Sequence, residues 1–151
     1  MAERVEAVDL GVKWNPNAPE ARLLSDDFGK TALALKPHHD DADRSCVVLA
    51  WSGTRTACMA DPNDEAISGH RLYGSGLGDV LWAGVVRDSD AIRALEQQNR
   101  VHPYHDPSRF DGLTHHVVLL RECVVEVVAE GLSILRFEGT TVDAAVAALR
   151  S

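Results

Sequence analysis

The stretch VVLLRECVVEVVAEGLSILRF, residues Val117–Phe137, is the most apolar part of the chain, and its reading decides the fold. Its apolar runs, Val117–Leu120 and Val124–Val128, are far shorter than the roughly 20 residues that span a bilayer, so they read as core strands. Glu130-Gly131 is placed to turn a hairpin between Val124–Ala129 and Leu132–Phe137. Upstream, Val5–Trp14 and Thr31–Lys36 have strand character and predict a loose hairpin across the loop Asn15–Glu20. Cys46–Trp51 and Thr56–Met59 predict a second hairpin, turned by Ser52-Gly53-Thr54-Arg55. Val80–Val86 reads as one more strand.

Two helices complete the pattern. Asp88 or Ser89 can cap a helix that carries Ala91, Ile92 and Leu95 on one face and stops near Asn99. Thr140-Thr141-Val142-Asp143 resembles a capping box, and Val142, Val146 and Leu149 form the expected docking stripe of a short C-terminal helix. Strands arriving as hairpins, with two helices and no strand–helix alternation, predict an α+β fold: an antiparallel sheet with two helices packed on it. With no repeat, low-complexity tract or flexible tether, residues 1–151 are expected to form a single domain.

Charge and composition narrow the function. The chain carries a net charge of −8 and its arginines are scattered, so a nucleic-acid partner is not expected. The N-terminal residues alternate charge with apolar side chains and lack the apolar core of a secretory signal, and no segment reads as a membrane span. Three cysteines, Cys46, Cys58 and Cys123, are odd in number and form no Cys-x-x-Cys pair, which fits a reducing cytoplasm.

Three constellations carry candidate chemistry. In the aperiodic segment Asp61–Gly78, residues Asn63, Asp64, Glu65 and His70 offer an amide, two carboxylates and an imidazole, a set suited to general acid–base work. The same residues also fit a turn at Asn63-Asp64, a solvated Glu65 and a His70 bonded to a nearby carbonyl. In Asn99-Arg100-Val101-His102-Pro103-Tyr104-His105, His102 and His105 flank a proline, and Arg100 is placed either to clamp an anion or to cap the preceding helix. The third set is His115, His116 and Glu126. Strict alternation along one strand puts His115 on one face and Glu126 on the other, with Glu126 facing a cavity or solvent. No four residues have closed-site metal spacing, so neither a structural metal nor a cofactor is expected. Gly74-Ser75-Gly76-Leu77-Gly78 precedes a strand rather than a helix, which makes it a turn and not a phosphate loop.

Taken together, Pro62-Asn63-Asp64-Glu65-Ala66 with Gly69-His70, Asn99-Arg100-Val101-His102-Pro103 with His105, and His115 before a strand resemble a family of small uncharacterised bacterial proteins. The likeness covers the central and later half of the chain. Members read His-Asp-Ser and then Glu where this chain reads Arg121-Glu122-Cys123 and then Glu126, so the Glu is kept and that His is not. The resemblance carries no activity. It implies that the three constellations belong to one pattern, with His70, His102 and Glu126 approaching a shared pocket.

Two expectations follow. In the first, the chain is a small-molecule enzyme or ligand-binding domain, with Glu126 or Glu65 as base, His70 or His102 as proton carrier and Arg100 as anion clamp; Asn63, Asp64, His105 and His115 line the site. In the second, it is a non-catalytic protein that pairs through a sheet edge as a homodimer.

Overall fold

The computed structural model describes residues 2–151. Nine strands run in the order β1 (Arg4–Ala7), β2 (Arg22–Ser25), β3 (Thr31–Leu35), β4 (Cys46–Ser52), β5 (Thr56–Ala60), β6 (Ala83–Arg87), β7 (Thr114–Leu119), β8 (Val124–Ala129) and β9 (Gly131–Phe137). Helix α1 (Asp90–Asn99) lies between β6 and β7, and α2 (Thr141–Arg150) closes the chain. The α+β class holds, but the antiparallel strands divide between two sheets, ordered β1-β6-β7-β8-β5 and β2-β3-β4-β9.

Strand periodicity explains the division. On β8, Val125, Val127 and Ala129 join Leu33, Leu35, Val47, Leu49 and Trp51 of the second sheet in the central core, while Val124 faces the opposite way. A strand apolar on both faces needs cover on both. The second sheet supplies one cover, and the segment Asp61–Val80 supplies the other through Leu72, Leu77 and Val80 packed on Val5, Val86, Val117 and Val124.

The expected hairpin at Glu130-Gly131 is therefore not a hairpin. β8 pairs with β7 and β5, whereas β9 pairs with β4. Gly131 sits opposite Ser52, where a Cβ would come 3.0 Å from the Ser52 hydroxyl, and this close approach carries the chain from one sheet to the other. Ser52-Gly53-Thr54-Arg55 makes the same kind of crossing from β4 to β5, so the second expected hairpin is also replaced. The two crossings lie side by side, joined by an Arg55–Glu130 ion pair at 3.2 Å and a bond from Arg55 N–H to Val128 O at 2.8 Å. The hairpin that does form here is β7–β8, closed by Leu120 N–H donating to Cys123 O at 3.1 Å.

The first expected hairpin shrinks to a single bridge, Trp14 with Pro37, because β1 pairs with β6. β3 instead pairs with β2, which lies in the connection between the two expected strands. The aperiodic segment forms three short 3-10 turns, Asp64–Gly69, Tyr73–Ser75 and Leu77–Asp79. Gly76 lets it cross over β1: its φ is +116° and a Cβ there would meet Val5 O at 2.5 Å.

Helix α2 has the capping box read from sequence, Thr140 with Asp143, but docks through Ala144, Ala145 and Ala148 against Ala32, Ala34 and Val48. Val142 is exposed and Val146 is only half-buried, so of the expected Val142–Val146–Leu149 stripe Leu149 alone packs on this interface, at its edge. Small side chains let the helix axis approach the sheet, and the larger residues fall to its sides. None of the residues of α1 is fully buried. No helix among the described residues is long and apolar enough to cross a membrane.

Candidate functional site

The β7–β8 register sets Val117 opposite Glu126 and His115 opposite Val128, so His115 and Glu126 share a face. The expectation that they lie on opposite faces fails because the chain reverses between them, which resets the alternation. Both point away from the central core, beneath the segment of 3-10 turns.

Three side chains meet at the Glu126 carboxylate. Arg71 grips it with two bonds, Nη2 to Oε1 at 2.6 Å and Nη1 to Oε2 at 2.9 Å. His115 Nε2 lies 2.8 Å from Oε1, and His70 Nε2 lies 3.5 Å from Oε2. His70 Nδ1 accepts from Leu72 N–H at 3.0 Å, so its Nε2 carries the proton that faces the carboxylate. The side chains of His115 and His70 are 1% and 5% exposed, Glu126 19% and Arg71 53%, which makes Arg71 the solvent-facing end of the cluster.

On its far side, His115 Nδ1 lies 2.7 Å from the hydroxyl of buried Ser89. Ser89 is the N-cap of α1, and its Oγ accepts from Ile92 N–H at 3.2 Å. With that bond in place the hydroxyl proton is free for His115 Nδ1, and the singly protonated tautomer that fits this geometry carries its ring proton on Nε2, toward Glu126. Asp88, at φ +52°, swings the chain from β6 into α1 and aims Ser89 back at the sheet, and Arg4 Nη1 holds its carboxylate at 3.1 Å. The result is a continuous line of hydrogen bonds, Ser89–His115–Glu126–Arg71.

Electrostatics fix the charge of its centre. Burial pushes the Glu126 carboxyl up, but the bonds from Arg71 and His115 and the Arg71 charge outweigh burial and hold it well below the usual carboxylate range. Glu126 is thus an anion at any working pH. The sequence neighbour of His115, His116, faces the other way into the space between the sheets, where its Nδ1 accepts from Trp51 Nε1–H at 3.2 Å. Burial, with a smaller contribution from the charge of His115, lowers its pKa to about 4, so it is neutral.

The remaining expected residues are placed elsewhere. Asn63 caps the first 3-10 turn, its side chain accepting from Ala66 N–H at 3.1 Å, and the adjacent Asp64 and Glu65 are exposed. Asp64 borders an apolar cavity of about 390 Å³ with Ile67, Tyr73, Trp14 and Trp82. Arg100 is bound to Glu96 at 2.9 Å and is not free to clamp an anion. His105 closes the same local cluster, 2.9 Å from Asn99 Nδ2 and 3.2 Å from Glu96 Oε1. His102 is exposed in its own turn, its Nδ1 accepting from Tyr104 N–H at 3.0 Å, and it lines a separate groove with Arg55 and Phe110. The expected convergence of His70, His102 and Glu126 is therefore corrected: His70 and Glu126 meet, and His102 does not join them. The reason is α1, whose C-terminal turn ties the Asn99–His105 segment to Glu96.

Two residues of the cluster were not singled out from sequence as site residues. Arg71 directly follows His70 in the family-like pattern, a signal that was in plain view. Ser89 carried only the signature of a helix cap. Both guanidinium arms lie on the two Glu126 oxygens, which leaves this donor set poorly suited to a metal. Among the described residues, three ligand atoms do approach within 4.8 Å of one another at His38, His39 and Asp40, on the polar loop before β4. Compared with models of protein families, with curated proteins and with solved structures, the chain matches none.

Proposed function

We propose that this chain is a small-molecule enzyme or ligand-binding domain whose working centre is the Glu126 carboxylate with Arg71, His70 and His115. One observation carries the reading: an ionised carboxylate is held below the surface by one guanidinium and two buried imidazoles, between a sheet and the Asp61–Val80 segment that covers it. Burying charge is costly, and an apolar cluster of equal volume commonly stabilises a fold as well or better. Charged groups of this kind gather where chemistry needs them. Glu126, locked as an anion, orients the imidazoles rather than donating protons, and His115 and His70 carry the protons. Arg71, half exposed, is the part of the cluster that an incoming ligand meets first. Three free cysteines support a reducing compartment, the cytoplasm.

The test is imidazole NMR with a panel of small carboxylates and phosphates. A working site moves the His70 and His115 ring resonances saturably, and Arg71→Ala abolishes the response. The alternative, a homodimer without chemistry, draws support from β5, an edge strand whose residues are mostly exposed, Met59 among them. A panel that moves neither histidine, together with sedimentation of the chain as a stable dimer, would put that reading in its place.

A further inference from the structure

We propose that Ser89 is a nucleophile that His115 and Glu126 activate for acyl transfer from small esters. The inference rests on reading the Glu126 cluster as a working site, and it names the reaction of that site. Nucleophilic serines are recognised by geometry: a hydroxyl within hydrogen-bond reach of a base that a third group orients. Here the hydroxyl is 2.7 Å from His115 Nδ1, and His115 Nε2 is 2.8 Å from Glu126. The ring nitrogens serve in the reverse order to the Ser-His-Asp triads, which leaves the proton chemistry unchanged, since either nitrogen of a neutral imidazole can be the base.

The surroundings fit the reaction. Ser89 borders a groove of about 280 Å³ with Ile92, Phe110 and Leu113 on its apolar side and Arg93 at its rim. That is below the usual size of drug-sized ligand sites, so it suits a short acyl group. Ser89 also begins α1, whose first-turn N–H groups favour developing negative charge. Asp90 N–H is taken by Glu3 at 2.8 Å and Ile92 N–H by Ser89 itself, whereas Ala91 N–H meets no protein acceptor among the described residues and is available for an oxyanion.

The step balances without a further reactant. Ser89 Oγ forms a bond to the carbonyl carbon as its proton passes to His115 Nδ1. The imidazolium is stabilised through Nε2–H by the Glu126 anion. Collapse of the tetrahedral adduct breaks the ester C–O bond, and the leaving alkoxide takes the proton from Nδ1. Water, deprotonated by the same nitrogen, then releases the acid and restores the Ser89 hydroxyl.

The test treats the native protein with a fluorophosphonate and, separately, with p-nitrophenyl acetate, reading intact mass and the modified peptide. The expected result is one adduct at Ser89, formed about 100-fold or more slowly in Glu126→Gln, and absent in Ser89→Asn, which keeps a capping side chain and is checked for native circular dichroism. An unmodified Ser89 in the native protein overturns the inference, as does modification at the same rate in urea. If Ser89 is inert while small anions still move the His70 and His115 resonances, acyl transfer is wrong and the ligand-binding reading survives. If neither responds, both fall.

Discussion

Glu126 keeps its charge below the surface because Arg71 and His115 supply more than burial removes, and that balance makes it sensitive to a one-atom change. Glu126→Gln keeps the shape and removes the anion. With Arg71 half exposed and able to turn to solvent, the expected loss is about 1–3 kcal/mol, read from the urea midpoint. The Nε2–H protons of His70 and His115, sheltered by their bonds to Glu126 in the parent, are expected to shift or exchange away in the variant. His116 gives a second prediction at this scale. Its pKa falls from 6.5 to about 4 on folding, so the unfolded chain binds the proton first as pH drops. The stability that His116 contributes is complete above the unfolded value and is lost as pH falls through the folded one, on the order of 3 kcal/mol in all. His116→Gln, which keeps an acceptor for Trp51, is expected to flatten the stability profile between about pH 6.5 and 4. Glu126 titrates in the same direction but at lower pH, below its ordinary 4.5, so the two contributions separate.

Among the elements, α2 is the sharpest case of a local pattern overruled by packing. Its start is legible, since a capping box needs only Thr140 and Asp143 at the right spacing. Its docking face is not, because valine and leucine outrank alanine in hydrophobicity while only alanine lets helix and sheet come close. The expected consequences run opposite to the sequence pattern. Val142→Ala, on an exposed position, changes stability by no more than about 0.5 kcal/mol. Ala145→Leu overpacks the interface and costs about 1–3 kcal/mol, and Thr140→Ala costs about 1 kcal/mol by removing the cap. Thermal and denaturant melts of the three variants check the order. The strands show the same limit. Their alternation was readable in Cys46–Trp51, Thr56–Met59 and Val124–Phe137, but a turn sequence such as Glu130-Gly131 says that the chain reverses and not which sheet it rejoins.

For the whole molecule, the paired crossings from β4 to β5 and from β8 to β9 tie the two sheets together at one end, and Trp14 and Trp51 are buried in the core they share. Neither sheet closes that core alone. Unfolding is therefore expected as one transition, with tryptophan fluorescence and far-ultraviolet circular dichroism following the same curve in urea. Arg55→Ala loosens the join only at its exposed rim, so both probes are expected to stay coincident with a midpoint loss below about 1 kcal/mol. Two separated transitions would mean that the sheets fold independently.

Short-range chemistry is what the sequence determined by itself: the α+β class, the caps of both helices, the approximate strands, and the presence of His70, His115 and Glu126 among the residues worth watching. These follow from side-chain period and from bonds made within a few residues. Only the tertiary structure decided which strands pair and which groups meet. Arg71 reaches Glu126 across 55 residues of chain and Ser89 reaches His115 across 26, and no local pattern encodes either distance. The meeting depends on the β7–β8 reversal, on the segment Asp61–Val80 lying over the outer face, and on Asp88 turning Ser89 inward. Each of these is fixed by the burial of apolar side chains remote in sequence, and so becomes visible only once the sheets are packed.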